Sequence, residues 1–303
     1  MPRLNVYLSK EAYDLAQAWR DSVNLSDICS RAIVDELSAL DELREAGGLL
    51  PHIRSRSGLA EELVSKFGLR DAVVARTPDK AELLRDTLGE AAAGYLDAVV
   101  SGKVQLAICG GRQTWSVVRN LRPRQVIGRV SALGFSSYDG EISHAHSNTL
   151  ATLLSLLYAP RTSAQVIGQS RDDDFHFELE PAESALPAYI VLGSCSAVEH
   201  STSFTRLIGE RATEQLMKHR AVADYAYVFL DGDGAEVSVP LPVSSRRMTG
   251  KTLKNLARRG DARVLLVAGG QEKLSAITAT LRTKLCNVLV TDEQSGRILL
   301  EGG

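Results

Sequence analysis

The sequence predicts an α/β protein, a small β-α-α arm followed by a mostly parallel, doubly wound sheet domain. Two observations predict it. Residues 3–8 alternate strictly in character and lead into two helical patterns. From about Leu59 onward, helical patterns alternate with short apolar strands, the order that builds a parallel sheet with helices on both faces.

In the arm, Leu4, Val6 and Leu8 fall on one face of a strand and Arg3, Asn5 and Tyr7 on the other. Ser9 caps a helix whose apolar side runs Ala12, Leu15, Ala16, Trp19. A second helix starts at Ser26, with Asp27 favourable in its first turn, and turns Ile28, Ala32, Ile33, Leu37 and Leu40 to one side. One short strand needs a partner for its backbone groups, and a second copy of the chain supplies it as an antiparallel ribbon. From RLNVYLSKEAYDLAQAW to NLSDICSRAIVDEL the arm resembles the ribbon-helix-helix family. In that reading Arg3, Asn5 and Tyr7 meet base edges in the major groove, and the amides near Ser26 and Asp27 hold a DNA phosphate. The alternative use of the arm is dimerisation alone.

Residues 1–46 thus form the arm. Gly47-Gly48 and Pro51 mark 47–57 as a hinge, and 58–303 form the large domain. There, strands are expected at Asp71–Ala75, Val104–Ile108, Gln125–Val130, Ala188–Val191, Tyr225–Phe229, Arg263–Val267 and Asn287–Val290. Helices are expected over Ala81–Val100 and Thr114–Asn120. Ligands of such sheets bind at the carboxyl ends of the strands.

The best-placed ligand loop is Gly110-Gly111-Arg112-Gln113-Thr114, between a strand and a helix. Two glycines let amides converge on an anion, the helix start adds positive potential, and Thr114 offers a hydroxyl. Arg112 either adds charge or pairs with a neighbouring acid. The loop lacks the Walker A lysine and does not complete G-x-G-x-x-G, which disfavours a nucleotide. Gly269-Gly270 forms a second strand-end turn, from which Lys273 reaches a phosphate or stands at the surface. Asp292 follows the last strand, where it also suits a turn cap.

The order LGEAAAGYL, GGRQT, a helix after Asn148, FLDGDG, AGGQEK and NVLVTDE resembles the effector domain of SorC/DeoR-type bacterial regulators over about residues 57 to 303. The resemblance implies a Rossmann-like fold akin to ribose-5-phosphate isomerase and glucosamine-6-phosphate deaminase. It implies an effector phosphate on the GGRQT loop, a pocket lysine at Lys273, a polar contact at His146, and acids lining or buttressing the pocket at Asp231 and Asp292. The chain departs from that pattern in its ribbon-like start, in the bulky Gln113, and in GRVSALG, which lacks paired glycines.

Other chemistry is disfavoured. Cys29, Cys109, Cys195 and Cys286 have no zinc or C-x-x-C spacing and read as buried thiols of a reduced compartment. His144 and His146 lack a third metal ligand in motif distance, and Asp172-Asp173-Asp174 reads as a solvated loop. Ser194, Ser196 and Ser201–Ser203 have no G-x-S-x-G context. No metal or cofactor is expected. A net charge of −2 gives no global pull toward nucleic acid, so DNA contact must be local. No apolar run reaches the ~20 residues of a membrane span and no signal-peptide core opens the chain, so a cytoplasmic protein without a membrane partner is expected.

The reading that unites these features is a transcriptional regulator, not an enzyme. It is a homodimer or homotetramer on double-stranded operator DNA whose C-terminal domain senses a sugar phosphate or related metabolite. The alternatives are a sugar-phosphate isomerase or deaminase using Asp231-Gly232-Asp233, and an oligomerisation scaffold.

Overall fold

The computed structural model describes residues 17, 57–100, 104–122, 127–135, 140–158, 162–167, 189–197, 208–239, 245–246 and 248–302. The chain divides into two units, Met1–Pro51 and His52–Gly303. Of the expected arm only Gln17, within the first helix, is described, and it is helical. The strand, the rest of both helices, and Arg3, Asn5, Tyr7, Ser26 and Asp27 lie outside the described residues, as do Cys29, Asp172–Asp174 and Ser201–Ser203.

In the second unit, eight strands form one sheet. Its order is β1 (Asp71–Ala75), β12 (Val288–Asp292), β11 (Ala262–Val267), β5 (Tyr189–Gly193), β2 (Val104–Cys109), β3 (Ile127–Phe135) and β10 (Ser245–Arg246), with β4 (Ser163–Gln165) also on β3. Only the β10 pairing is antiparallel. β5 (YIVLG) and β12 (VLVTD) are buried at every position, which explains why they read as continuous apolar runs rather than alternating ones.

Helices α1 (Ser57–Phe67), α2 (Leu84–Val99), α3 (Arg112–Asn120), α4 (Ser147–Leu157), α5 (Glu210–Lys218), α6 (Gly250–Arg258), α7 (Leu274–Arg282) and α8 (Glu293–Glu301) complete the described elements with the remaining strands. α2 crosses β1, β12 and β11 and packs on α3. At that crossing a Cβ on Gly89 would stand 2.7 Å from the backbone carbon of Ser116, so only glycine lets the two helices approach this closely. The helix expected over Ala81–Val100 begins as a single 3-10 turn, Ala81–Leu83, before α2.

Asn287, just before β12, is 5% exposed and has its amide fully engaged. Its Oδ1 accepts from the Val264 N–H at 2.8 Å, and its Nδ2 donates to the carbonyls of Ala257 (2.9 Å) and Ala262 (3.0 Å). One buried carboxamide therefore fastens α6 and β11 to the start of β12, each bond contributing about 1 kcal/mol net.

The expected strand Tyr225–Phe229 is replaced by a hairpin. β7 (Ala221–Tyr225) turns at Ala226–Tyr227 and returns as β8 (Val228–Asp231). Both turn residues have positive φ, 51° and 66°, the hand that matches strand twist in two-residue hairpins. No glycine or asparagine marks the turn, so its sequence reads as unbroken strand. With β6 (Cys195–Ala197) and β9 (Glu236–Val237) the hairpin forms a second, antiparallel sheet packed on α7. Among the described residues no helix is long and apolar enough to cross a membrane.

Candidate functional site

A cleft of about 220 Å3 opens at the carboxyl ends of the central strands. β2 delivers Cys109, Gly110 and Gly111 to its wall, α3 delivers Arg112 and Gln113, and the segment between β5 and β6 delivers Ser194. The hairpin contributes Asp224, Ala226 and Tyr227, and the turn after β11 contributes Lys273.

The anion-binding character comes from the start of α3. Its N-cap is Gly111, at φ 130°, which has no side chain to accept from the first-turn N–H groups. Thr114 in that turn is 1% exposed, and its hydroxyl has no hydrogen-bond partner among the described residues. The two glycine amides are already engaged within the fold. Gly110 N–H donates to the Tyr227 hydroxyl at 3.1 Å, and Gly111 N–H to the Ala145 carbonyl at 2.8 Å. The donors left for a ligand are those of the α3 first turn. Among the described residues, Arg85, Arg112 and Lys273 face the cleft against one carboxylate, Asp224, so its potential favours an anion.

Lys273 is positioned by a buttressed turn. Gly270, at φ 94°, begins a 3-10 turn, Gln271–Lys273, and its N–H donates to the Ser295 hydroxyl at 2.9 Å. The same N–H lies 3.3 Å from Asp292 Oδ1. Asp292 is 1% exposed and caps α8 by accepting from the Ser295 N–H. It stands behind the turn and does not line the cleft.

Of the residues expected at the site, Gly110, Gly111, Arg112, Gln113 and Lys273 line one cleft, with Thr114 buried behind it. Gln113 is tied inward, its amide donating to the Arg85 carbonyl at 3.0 Å. His146 caps α4, its Nδ1 accepting from the Asn148 N–H at 3.2 Å, and lies outside the cleft wall. Asp231 also lies outside it. Asp231 Oδ1 accepts from Asp233 N–H (3.0 Å) and Ala235 N–H (2.7 Å), forming the turn after β8. The cleft residues that sequence reasoning missed are Arg85, Cys109, Ser194, Ser196, Asp224, Ala226 and Tyr227. The positive-φ turn, absent from the sequence pattern, is what brings the last two there.

Burial raises the Cys195 thiol to about 12 and pushes the Cys109 thiol up further, so both stay neutral and neither supplies a thiolate. Burial also raises the Tyr227 phenol well above its ordinary value. Among the described residues, no group of three His, Cys, Asp or Glu could hold a metal ion.

The family model described as "Putative sugar-binding domain" matches residues 52–301. The deoxyribonucleoside regulator of Bacillus subtilis (strain 168) is 30% identical over 242 residues, covering 75% of this chain and 74% of that protein. The crystal structure of the full-length sorbitol operon regulator SorC from Klebsiella pneumoniae aligns with a TM-score of 0.66 at 20% identity, covering 94% of this chain and 96% of that one. A transcriptional regulator from Streptococcus pneumoniae TIGR4 aligns with a TM-score of 0.66 at 19% identity, over 81% and 96% of the two chains.

Proposed function

Because this chain belongs to the family of SorC/DeoR-type transcriptional regulators with a sugar-binding domain, we propose that it is a DNA-binding regulator controlled by a phosphorylated sugar. Residues 58–303 are the effector domain and 47–57 the hinge. Residues 1–46 are the DNA-binding and dimerising arm, with Arg3, Asn5 and Tyr7 toward bases and Ser26 and Asp27 at a phosphate. The functional unit is a homodimer or homotetramer.

One observation carries the effector assignment. The uncapped start of α3 and Lys273 line one cleft, and the Thr114 hydroxyl, unpartnered among the described residues, is buried directly behind it. Helix-start amides, a hydroxyl and an ammonium are the donor set that a phosphate monoester satisfies. Ser194, Ser196 and Asp224 on the cleft wall suit the hydroxyls of an attached sugar. The isomerase or deaminase alternative gains nothing here. The relative is named as a regulator, and Asp231 is spent on a turn rather than placed beside the anion.

Calorimetric titration with ribose 5-phosphate and inorganic phosphate tests the site. Lys273→Ala should weaken binding by about tenfold or more, roughly 1.4 kcal/mol. Equal binding by wild type and Lys273→Ala would remove the lysine and the cleft from the assignment. Anisotropy of DNA from upstream of the gene, at fixed salt with and without sugar phosphates, tests the coupling.

A further inference from the structure

We propose that Tyr227 sets the size of ligand the cleft admits, by walling it off where β2 and β3 end. The inference rests on the anion-site reading above and concerns which anionic metabolites fit.

Tyr227 occupies a position that disfavours it. At φ 66°, beside Ala226 at φ 51°, it fills a two-residue turn that ordinarily takes glycine or asparagine. A bulky aromatic held there indicates that its side chain is needed where the turn sends it. Its N–H donates to Asp224 Oδ1 at 3.0 Å, and its hydroxyl accepts from Gly110 N–H at 3.1 Å.

The far end of the ring is equally determined. A Cβ on Gly134 would stand 2.8 Å from the Tyr227 hydroxyl oxygen, 3.0 Å from its Cζ and 3.1 Å from the Ser147 hydroxyl. Glycine at the end of β3 therefore makes room for the phenol. The ring spans from the hairpin to the meeting point of β2, β3 and the start of α4. Ser147 and His146, at the start of α4, are absent from the cleft wall although Ala145 touches the loop through Gly111. The phenol stands between them together with Gly110, where a Cβ would meet the Ala145 carbonyl and the Ser147 N at 3.1 Å and the Tyr227 hydroxyl at 3.2 Å. A ligand anchored at the α3 first turn cannot grow toward Ser147 and must lie along Asp224, Ser194 and Ser196. The cleft volume, about 220 Å3, is below the ~300 to 1,000 Å3 of typical drug-sized sites and suits one small monophosphate.

The test is calorimetric titration of wild type, Tyr227→Phe, Tyr227→Gly and Tyr227→Asn with ribose 5-phosphate and with the bulkier trehalose 6-phosphate. Glycine and asparagine both accept the positive φ, so either one serves if the other fails to fold. Wild type and Tyr227→Phe, which keep the ring, should prefer the pentose phosphate by about tenfold or more. The Gly or Asn variant should reduce that preference to within about threefold. An unchanged preference in the opened variants, or none in wild type, would overturn the inference. Failure of every protein to bind either compound or inorganic phosphate would instead bring down the anion-site reading, and this inference with it.

Discussion

The hydroxyl of Thr77 donates to the carboxylate of Asp292 across 2.8 Å, joining segments 215 positions apart. Thr77 follows β1 and Asp292 ends β12, so the bond ties two neighbouring strand ends. Asp292 also accepts from the Ser295 hydroxyl at 2.6 Å and from its N–H at 3.2 Å, and it backs the Gly270 turn that presents Lys273. A buried carboxylate is tolerable only with donors of this number and quality.

Asp292→Ala should therefore lower stability by about 2 to 4 kcal/mol, read from the urea midpoint, because several buried donors lose their acceptor. Phosphate affinity should fall in the same variant as the lysine turn loosens. An unchanged midpoint would show that water replaces the carboxylate without loss.

Thr114→Val should separate stability from binding. The hydroxyl is buried and unpartnered, so a methyl of like shape should leave the free protein as stable or up to about 1 kcal/mol more stable. Ribose 5-phosphate affinity should drop by roughly three- to tenfold if the hydroxyl serves the ligand. Thermal melts with and without ligand give both numbers.

Gly89→Ala should cost about 1 to 3 kcal/mol, since its Cβ would press on the Ser116 hydroxyl and backbone at the α2–α3 crossing. Because α3 also carries the ligand loop, phosphate binding should weaken together with the midpoint. A neutral effect would mean that the helices separate freely.

Alkaline pH should destabilise the fold. Burial raises Cys195 from 9.0 to about 12 and also raises Cys109, Cys286, Tyr95, Tyr225 and Tyr227. Groups raised in the folded state contribute stability that is complete below their unfolded values and is lost as pH climbs toward the folded ones. Urea midpoints should hold level between about pH 7 and 8 and decline above about 9. In a Cys29→Ser background, a thiol reagent should find Cys109, Cys195 and Cys286 unreactive until urea exposes them. Rapid native labelling would contradict their burial.

Much of the central sheet was legible because fully buried parallel strands leave apolar runs such as YIVLG and the VLV of Val288–Val290. The glycine loop that lines the cleft was legible because strand-end glycines mark where ligands meet such sheets. Lys273, by contrast, was singled out by the family resemblance, and its own local pattern suited a surface lysine equally. The hairpin was not, since Ala226 and Tyr227 adopt positive φ without the residues that signal it. Arg85 and Asp224 carried no local signal either, because tertiary packing alone brings α2 and the hairpin to the loop. Asp231 and Asp292 illustrate the converse. Asp231 spends its lone pairs on nearby backbone amides and Asp292 on the Thr77 and Ser295 hydroxyls and the Ser295 amide, and sequence cannot separate such uses from ligand binding.

The carboxamide of Asn287 also sets a clock. Val264 N–H, held by its Oδ1, meets solvent only when the junction of α6, β11 and β12 opens as a unit. Its deuterium uptake should therefore report an opening of that junction as a unit, slower than uptake at amides whose release needs only a local excursion. An effector seated at the first turn of α3 would first slow exchange at the amides it binds there. Only through mass action on the whole folded population would it reach Val264.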